Sequence, residues 1–203
     1  EPDLKRGFNI FEERENTDNE TIISSFNSIF DTELRFNDQW KLSSQVGIQW
    51  DQSSQEQYVG ENTFNMRNIR EDSSYDENQY IVPKGGMHTV NNATTSQITW
   101  KVQGEYKNTF NDIHDIQIMA GSEIRKNWYN TQFTAGYGYD PKTLTTKPLN
   151  IRNDKDAEKY KLHTKTYQEN AFASFYTTGS YSFMSRYTIG GSVRMDGSDL
   201  FGV

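Results

Sequence analysis

The chain has 203 residues with 21 Lys and Arg against 28 Asp and Glu, so its formal net charge is -7, and it contains no cysteine. Scattered basic residues in an acidic chain argue against nucleic acid as a partner, and the lack of cysteine excludes disulfides and thiolate metal sites. The mean hydropathy of -0.91 is typical of a soluble or disordered chain, but twelve Tyr, twelve Phe and four Trp are more than a disordered tail carries.

The first predicted element is a β-hairpin at about 22–50, in which apolar and polar residues alternate. In its second strand the even positions form an apolar set that begins at Trp40 and ends at Trp50, and the odd positions form a polar set. Strand geometry places these sets on opposite faces of a sheet. The first strand follows the same rule, with Ile29 as its exception, and the polar turn 37–39 joins the two strands.

Two more hairpins follow with the same alternation. The second spans about 94–125 with a short turn at Asn111 and Asp112, and the third spans about 167–196 with a turn at 184–186. In each of them one face carries aliphatic and aromatic residues and the other carries Ser, Thr, Gln, Asn and charged residues. The three hairpins therefore predict about six long antiparallel strands.

The connections between the hairpins are long, polar segments at about 52–93 and 126–166, whereas the turns within hairpins are short. Alternating short turns and long loops are typical of outer-membrane barrels, whose turns are periplasmic and whose loops are extracellular. The strands are long enough to cross a bilayer with tilt, which takes about 9–11 residues, and no apolar run of roughly 18 residues provides a transmembrane helix. We therefore predict an all-β fold, a segment of an antiparallel up-and-down transmembrane β-barrel.

One stretch, residues 175–202, resembles the SusC/RagA family of TonB-dependent outer-membrane receptors. The matching pieces are Ser180-Tyr181-Ser182-Phe183, Arg186-Tyr187, Arg194-Met195-Asp196-Gly197-Ser198 and Phe201-Gly202. Asp199 and Leu200 depart from the Ser-Arg that usually precedes Phe-Gly in this family. Outside this stretch the agreement is limited to the rhythm of the hairpins.

The resemblance implies a large barrel closed around an N-terminal plug, capped by a SusD-like surface lipoprotein and supplied with energy by the TonB complex. It implies import of a nutrient, a glycan or an oligopeptide, across the bacterial outer membrane, without covalent chemistry. The chain contains neither plug nor TonB box. Its ends, Glu1-Pro2-Asp3 without Met and Phe201-Gly202-Val203 directly after a strand, are interpreted as cuts in a longer polypeptide.

The charged residues Arg194 and Asp196 are two apart on one strand, so they lie on the same face, while Val193 and Met195 lie on the other. A charge on the lipid face near the bilayer midplane costs roughly 2–4 kcal/mol. We therefore expect Arg194 and Asp196 to face the lumen and to form a structural ion pair that fixes the strand's orientation. A direct contact with the substrate is the alternative.

Aromatic residues in the long connections are the candidate substrate contacts. They are exposed candidates for stacking on sugar rings or holding a peptide, and the four selected residues are Trp128, Tyr129, Tyr137 and Tyr139. The competing interpretation is packing against the neighbouring loops or the lipoprotein lid, which is the commoner fate of a loop aromatic.

No motif supports catalysis, a metal or another cofactor. His88, His114 and His163 are not at ligand spacing from one another, and the acidic clusters at 72–77 and 154–158 lack the Gly and the bidentate Glu of an EF-hand loop. Nucleophile-elbow, Walker and dinucleotide-binding motifs do not occur. The chain is predicted not to be an enzyme.

The alternative is a soluble or surface-exposed β-sheet module that binds glycans through its loop aromatics. Soluble antiparallel sheets also alternate, but their apolar face packs on a protein core. The two hypotheses therefore differ at Leu42, Val46, Ile48 and Trp100, which face lipid in the barrel and a dry core in the soluble module. An isolated barrel segment is also expected to aggregate without detergent, because its two sheet edges are open.

Overall fold

The computed structural model describes residues 7–202, and for residues 200–202 it describes the backbone alone. Outside the described residues lie Glu1-Pro2-Asp3 and Val203, which were interpreted above as parts of cut ends. The side chain of Phe201 is not described either. The elements in chain order are α1 (Ile10–Glu15), β1 (Thr17–Arg35), β2 (Trp40–Val59), α2 (Phe64–Glu71), β3 (Ser74–Asp76), β4 (Gln79–Tyr80), β5 (Gly86–Phe110), β6 (His114–Tyr139), α3 (Asp154–Lys159), β7 (His163–Phe183) and β8 (Tyr187–Gly202). Within the described range no helix has the length and hydropathy that membrane crossing by a helix requires.

The six long strands form one sheet in the order β1-β2-β5-β6-β7-β8, and β3 and β4 form a separate ribbon. Each long strand therefore pairs with the long strand before it in the chain, which is the up-and-down connection. The last hairpin is antiparallel in unbroken register, from the pair Phe183↔Tyr187 near the turn to Gln168↔Gly202. The predicted antiparallel up-and-down architecture of three hairpins is confirmed.

The short turns have local chemical causes. Asn111 and Asp112 take φ values of 53° and 55° between β5 and β6, and Met184 and Ser185 take 51° and 55° between β7 and β8. Two consecutive positive φ angles match the twist of a two-residue hairpin, and Asn and Asp tolerate them best. In the first hairpin the side-chain oxygen of Asn37 instead accepts hydrogen bonds from the backbone of the next residues.

The strands continue beyond the predicted limits of the hairpins. Because β2 ends at Val59 and β5 begins at Gly86, the predicted connection at 52–93 is shorter in the structure, where residues 60–85 join the two strands. In the same way the predicted connection at 126–166 narrows to 140–162, since β6 and β7 extend into it. Apolar alternation marks only the part of a strand with an apolar face, whereas backbone pairing proceeds equally well between polar residues.

The chain divides into two compact units. The loop unit contains the residues up to Ser24, Gln52–Ala93 and Thr131–Thr166, and the strand unit contains Ser25–Asp51, Thr94–Asn130 and the residues from Tyr167 onward. Five long strands, β1, β2, β5, β6 and β7, contribute residues to both units, whereas β8 belongs to the strand unit alone. Each unit has its own packing and is described separately.

The loop unit has a small hydrophobic core. Met66 is 2% exposed and Val82 is fully buried, and both pack in a cluster with Val59, Ile81 and Tyr160. Partly buried residues surround this cluster, namely Ile69, Tyr75, Met87, Tyr137 and Leu149. The connections between the strands are therefore folded on a shared apolar centre.

Helix α2 holds Met66 in that core through its N-cap. The Thr63 hydroxyl accepts a hydrogen bond from the Met66 backbone N–H at 3.1 Å and donates one to the Gly60 carbonyl at 2.8 Å. Thr63 is fully buried, so this hydroxyl satisfies backbone groups that water cannot reach.

Candidate functional site

One face of the strand unit carries large apolar side chains that are exposed or partly exposed. Ile48 is 40% exposed and Trp100 is 50% exposed, and Leu42 and Val46 are partly exposed. On the third hairpin the exposed residues of this face are Phe175, Tyr181, Tyr187, Ile189, Val193 and Met195. We call this surface the apolar face. The residues that distinguish the two functional hypotheses are thus not enclosed in a dry core within the chain.

The opposite face of the strand unit carries charged and amide side chains that bond across strands, and we call it the polar face. Lys41 on β2 places its Nζ 3.0 Å from a Glu105 carboxylate oxygen on β5 and 3.7 Å from Glu33 on β1. Gln45 on β2 donates to Asp31 on β1 at 2.7 Å. All these residues are at odd positions. The alternation predicted for the first two hairpins therefore brings them to the same face, where they form these polar contacts.

A second group on the polar face centres on Tyr176 of β7. Its hydroxyl donates to the Gln103 side-chain oxygen at 3.2 Å, and Gln103 donates to Glu105 at 2.8 Å. Gly121 makes room for the ring, because a Cβ at that position would lie 2.5 Å from ring atoms of Tyr176. A glycine in β6 thus allows an aromatic ring from the next strand to lie flat on the sheet.

The pair predicted from spacing on β8 is formed. Arg194 Nε donates to Asp196 at 2.8 Å and 3.1 Å, and Ser174 on β7 donates to the same carboxylate at 2.5 Å. The register sets Ser174 opposite Asp196, and Ser174 is only 7% exposed. Met195 lies between Arg194 and Asp196 in the strand, points to the other face and is 71% exposed.

The four aromatic candidates are divided between the two units. Trp128 belongs to the strand unit, where the Lys126 ammonium lies 5.2 Å from its ring, and Tyr129 is its neighbour on β6, so the two side chains lie on opposite faces. Tyr137 and Tyr139 belong to the loop unit. Trp128 and Tyr129 therefore do not share one binding surface.

Tyr137 packs edge-on against Tyr160, with ring centroids 6.1 Å apart, beside the core of the loop unit. Burial raises the pKa of its phenol, and the neighbouring Tyr160 adds to that effect. Tyr139 stacks on the ring of His88 at 4.8 Å. Both contacts are of the packing type that competes with the substrate-binding interpretation.

The histidines and the described acids were candidates for metal ligands. Within residues 7–202 no group of three or more His, Cys, Asp or Glu side chains is arranged to hold an ion. His88 bonds to Glu56 at 2.6 Å and His114 bonds to the Tyr181 hydroxyl at 2.6 Å. The acidic cluster at 154–158 is part of α3, whose first turn Asn153 caps.

Sequence reasoning did not select Arg125 of β6 and Phe172 of β7. The Arg125 guanidinium carbon lies 4.8 Å from the centre of the Phe172 ring. Both line a cavity of about 250 Å³ on the polar face, together with Glu123, Ser174, Arg194, Asp196 and Gly197. The available signal was an aromatic residue, Phe172, at a position of β7 whose alternation calls for a polar side chain.

We compared the sequence and the fold with those of known proteins. No family model matches the sequence. The chain is 30% identical to the TonB-dependent receptor P39 of Formosa agariphila over 99 residues, which are 48% of this chain and 9% of that protein. The structure of the RagAB peptide transporter superposes with a TM-score of 0.70 at 16% identity, covering 91% of this chain and 18% of that one. The RagAB peptide importer in its open-open state gives a TM-score of 0.69.

The fold is that of a segment of an antiparallel up-and-down β-barrel, as in the RagAB structures. The chain spans 9% of the length of the curated relative and 18% of the RagAB chain that it matches. In sequence the chain is similar to a TonB-dependent receptor, and in fold it is similar to the RagAB structures.

Proposed function

We propose that the chain forms part of the wall of a bacterial outer-membrane importer of the TonB-dependent type, which takes up a nutrient such as a glycan or an oligopeptide. The observation that carries this proposal is the pair of opposite faces in the strand unit. One side of the sheet exposes aliphatic and aromatic side chains, and the other is joined by polar contacts across strands.

The energetics of the two faces support this role. An exposed apolar surface of this extent is unfavourable in water but favourable against acyl chains. Charged residues such as Lys41 and Glu105 are paired on the other face, where a barrel has its water-filled or plugged interior. In this arrangement Arg194 and Asp196 face the lumen, and their pairing with Ser174 holds β8 in register.

Aromatic residues lie where an interfacial girdle is expected. Trp40 at the start of β2 packs on Tyr106 of β5, with ring centroids 4.7 Å apart, and Tyr187 begins β8 next to the turn. At the other end of the apolar set of β2 lies Trp50, which is 37% exposed. We assign the short turns to the periplasm and the loop unit to the cell surface.

The assembly follows from the family resemblance and from the transporters that the fold matches. A SusD-like surface lipoprotein covers the extracellular side, the TonB complex acts through an N-terminal plug region, and lipid covers the apolar face. The proposed role is transport without a covalent step, and one solved structure that shares this fold is that of the RagAB peptide transporter.

A soluble glycan-binding module is the competing function, and it requires the apolar face to be packed on a protein core. Trp100 and Ile48 are exposed instead, and the buried core of the chain belongs to the loop unit. The geometry thus favours the barrel wall.

Paired cysteine substitutions test the proposal, because these 203 residues contain no cysteine and the unsubstituted full-length protein reports the labelling of any cysteine elsewhere. Gln45→Cys and Val46→Cys are made in the full-length protein, in outer-membrane vesicles, and each is treated with a charged maleimide. We expect labelling of Gln45→Cys on the polar face and protection of Val46→Cys by lipid, with labelling of both after detergent denaturation. Equal labelling of both positions in intact vesicles would refute the barrel wall.

A further inference from the structure

We propose that the cavity beside Arg125 binds a carboxylate group of a solute inside the barrel. This inference rests on the proposed function, since it needs the polar face to line the lumen. The cavity measures about 250 Å³ and lies between β6, β7 and β8 of the strand unit. Its size suits the end of a small organic acid or one acidic group of a larger solute.

Arg125 is the residue that carries the proposal, because it is the arginine of the cavity that makes no ion pair with a described residue. No described Asp or Glu forms an ion pair with it, and its Nε is inaccessible to solvent without a hydrogen-bond partner among residues 7–202. The side chain as a whole is partly exposed, so the cost falls on Nε, a buried donor without a partner. An anionic ligand in the cavity supplies the missing partner.

Phe172 fixes the position of this guanidinium. The Arg125 carbon Cζ lies 4.8 Å from the centre of the Phe172 ring, within the range of a cation–π contact. An arginine that already packs on an aromatic ring loses less side-chain entropy when it binds an anion than an arginine that is free in solvent. The contact therefore preorganises the donors.

The second arginine of the cavity is already engaged. Arg194 donates to both carboxylate oxygens of Asp196 and to the hydroxyl of Ser174, at 3.1 Å in the last case. Asp196 in turn accepts from Ser174. These contacts neutralise one charge of each sign, so they neither attract nor repel a ligand strongly, and Arg125 remains the open donor.

Glu123 limits the charge of the ligand. It lines the same cavity, and with Asp196 it brings the lining to two positive and two negative charges. A dianion such as phosphate meets this second carboxylate and is disfavoured, whereas a planar monoanion matches the two parallel N–H donors of one guanidinium. The geometry thus points to a carboxylate rather than to a phosphoryl group.

The experiment measures binding of acetate, labelled with ¹³C at its methyl carbon, to the full-length protein in detergent micelles. Binding is followed by the broadening of the acetate NMR signal. We expect broadening by the wild type and a loss of affinity of about tenfold or more in Arg125→Gln, because a charged hydrogen-bond donor is removed. The matched control is Arg35→Gln, since Arg35 is 75% exposed and paired with Glu33. It should bind acetate within twofold of the wild type.

Two further arms sharpen the assignment. Arg125→Lys keeps the charge but loses the planar fork, so it should bind acetate more weakly than the wild type. Inorganic phosphate should compete less effectively than propionate. Wild-type affinity in either Arg125 variant, or stronger competition by phosphate, would overturn the carboxylate site.

The outcome can be separated from that of the proposed function. Heat-modifiable migration of each variant in gel electrophoresis reports a folded barrel independently of acetate. A folded barrel in which the wild type broadens acetate no more than Arg125→Gln refutes the carboxylate site alone. Loss of heat-modifiable migration in the wild type would instead refute the barrel wall, and the site with it.

Discussion

Met66→Ala removes the central side chain of the loop unit. Met66 is 2% exposed and packs with Val59, Ile81, Val82 and Tyr160. Truncation of a buried Met to Ala costs about 2–5 kcal/mol, from lost transfer energy and the cavity left behind. The higher helix propensity of Ala returns at most a few tenths of a kcal/mol, and the Thr63 cap on the backbone is retained. The loop unit should therefore lose about 2–5 kcal/mol of local stability.

Native-state hydrogen exchange measures this loss where it occurs. Amides of the loop unit such as Val82, whose N–H donates to Ser73 at 3.1 Å, should exchange about 30-fold to 4,000-fold faster in the variant, since each 1.4 kcal/mol is a factor of ten. Amides of the strand unit should be unaffected. Met195→Ala is the matched control, because Met195 is 71% exposed on the apolar face. Acceleration below about threefold in the loop unit would refute the existence of a cooperative core there.

Three further changes have defined outcomes. Thr63→Ala removes a buried N-cap and should cost about 1–2 kcal/mol in the same exchange assay, while Thr63→Ser should retain most of the stability. Val46→Arg puts a charge on the apolar face and should lower the unfolding free energy from lipid vesicles by roughly 2–4 kcal/mol, whereas Gln45→Arg should be near neutral, and equal effects would contradict the two-faced sheet. The raised pKa of Tyr137 means that the folded state holds the phenol proton more tightly than the unfolded state does. The stability that this contributes is complete below about pH 10 and is lost as the pH rises through the folded pKa. Denaturant titrations from pH 9 to 11 should therefore show a smaller loss of unfolding free energy in Tyr137→Phe than in the wild type.

Much of the strand unit was predictable from alternation because its two environments demand opposite residue types. In β2 the exposed apolar residues Trp40, Ile48 and Trp50 lie at even positions, as expected. The first strand is less regular, since Ile29 is exposed alongside its apolar-face neighbours although it lies at an odd position. Alternation thus gave the faces of the sheet correctly, with single exceptions.

The extent of the strands and the core of the loop unit were not predictable in the same way. Beyond the apolar segment the strands continue with polar side chains, such as Ser54 and Asn92, which bond to each other at 2.7 Å. Met66, Val82 and Tyr160 lie far apart in the sequence and show no common period, so only the folded chain reveals that they pack together.

Of the candidate site, the spacing of Arg194 and Asp196 predicted their contact, and the structure adds Ser174, which only the strand register could supply. The aromatic candidates were selected by residue type alone. The residue type does not determine which neighbour an aromatic ring contacts. In the structure Tyr137 contacts Tyr160, and Tyr139 contacts His88.

The small core of the loop unit has a consequence for molecular recognition. The loop segments that pack on the buried residues Met66 and Val82 are already ordered in the absence of a partner. A partner that docks on them pays little further ordering entropy, so its affinity depends chiefly on the fit of the two surfaces. Substitutions at Met66, although it is out of reach of any partner, should therefore weaken such docking by softening the receiving surface.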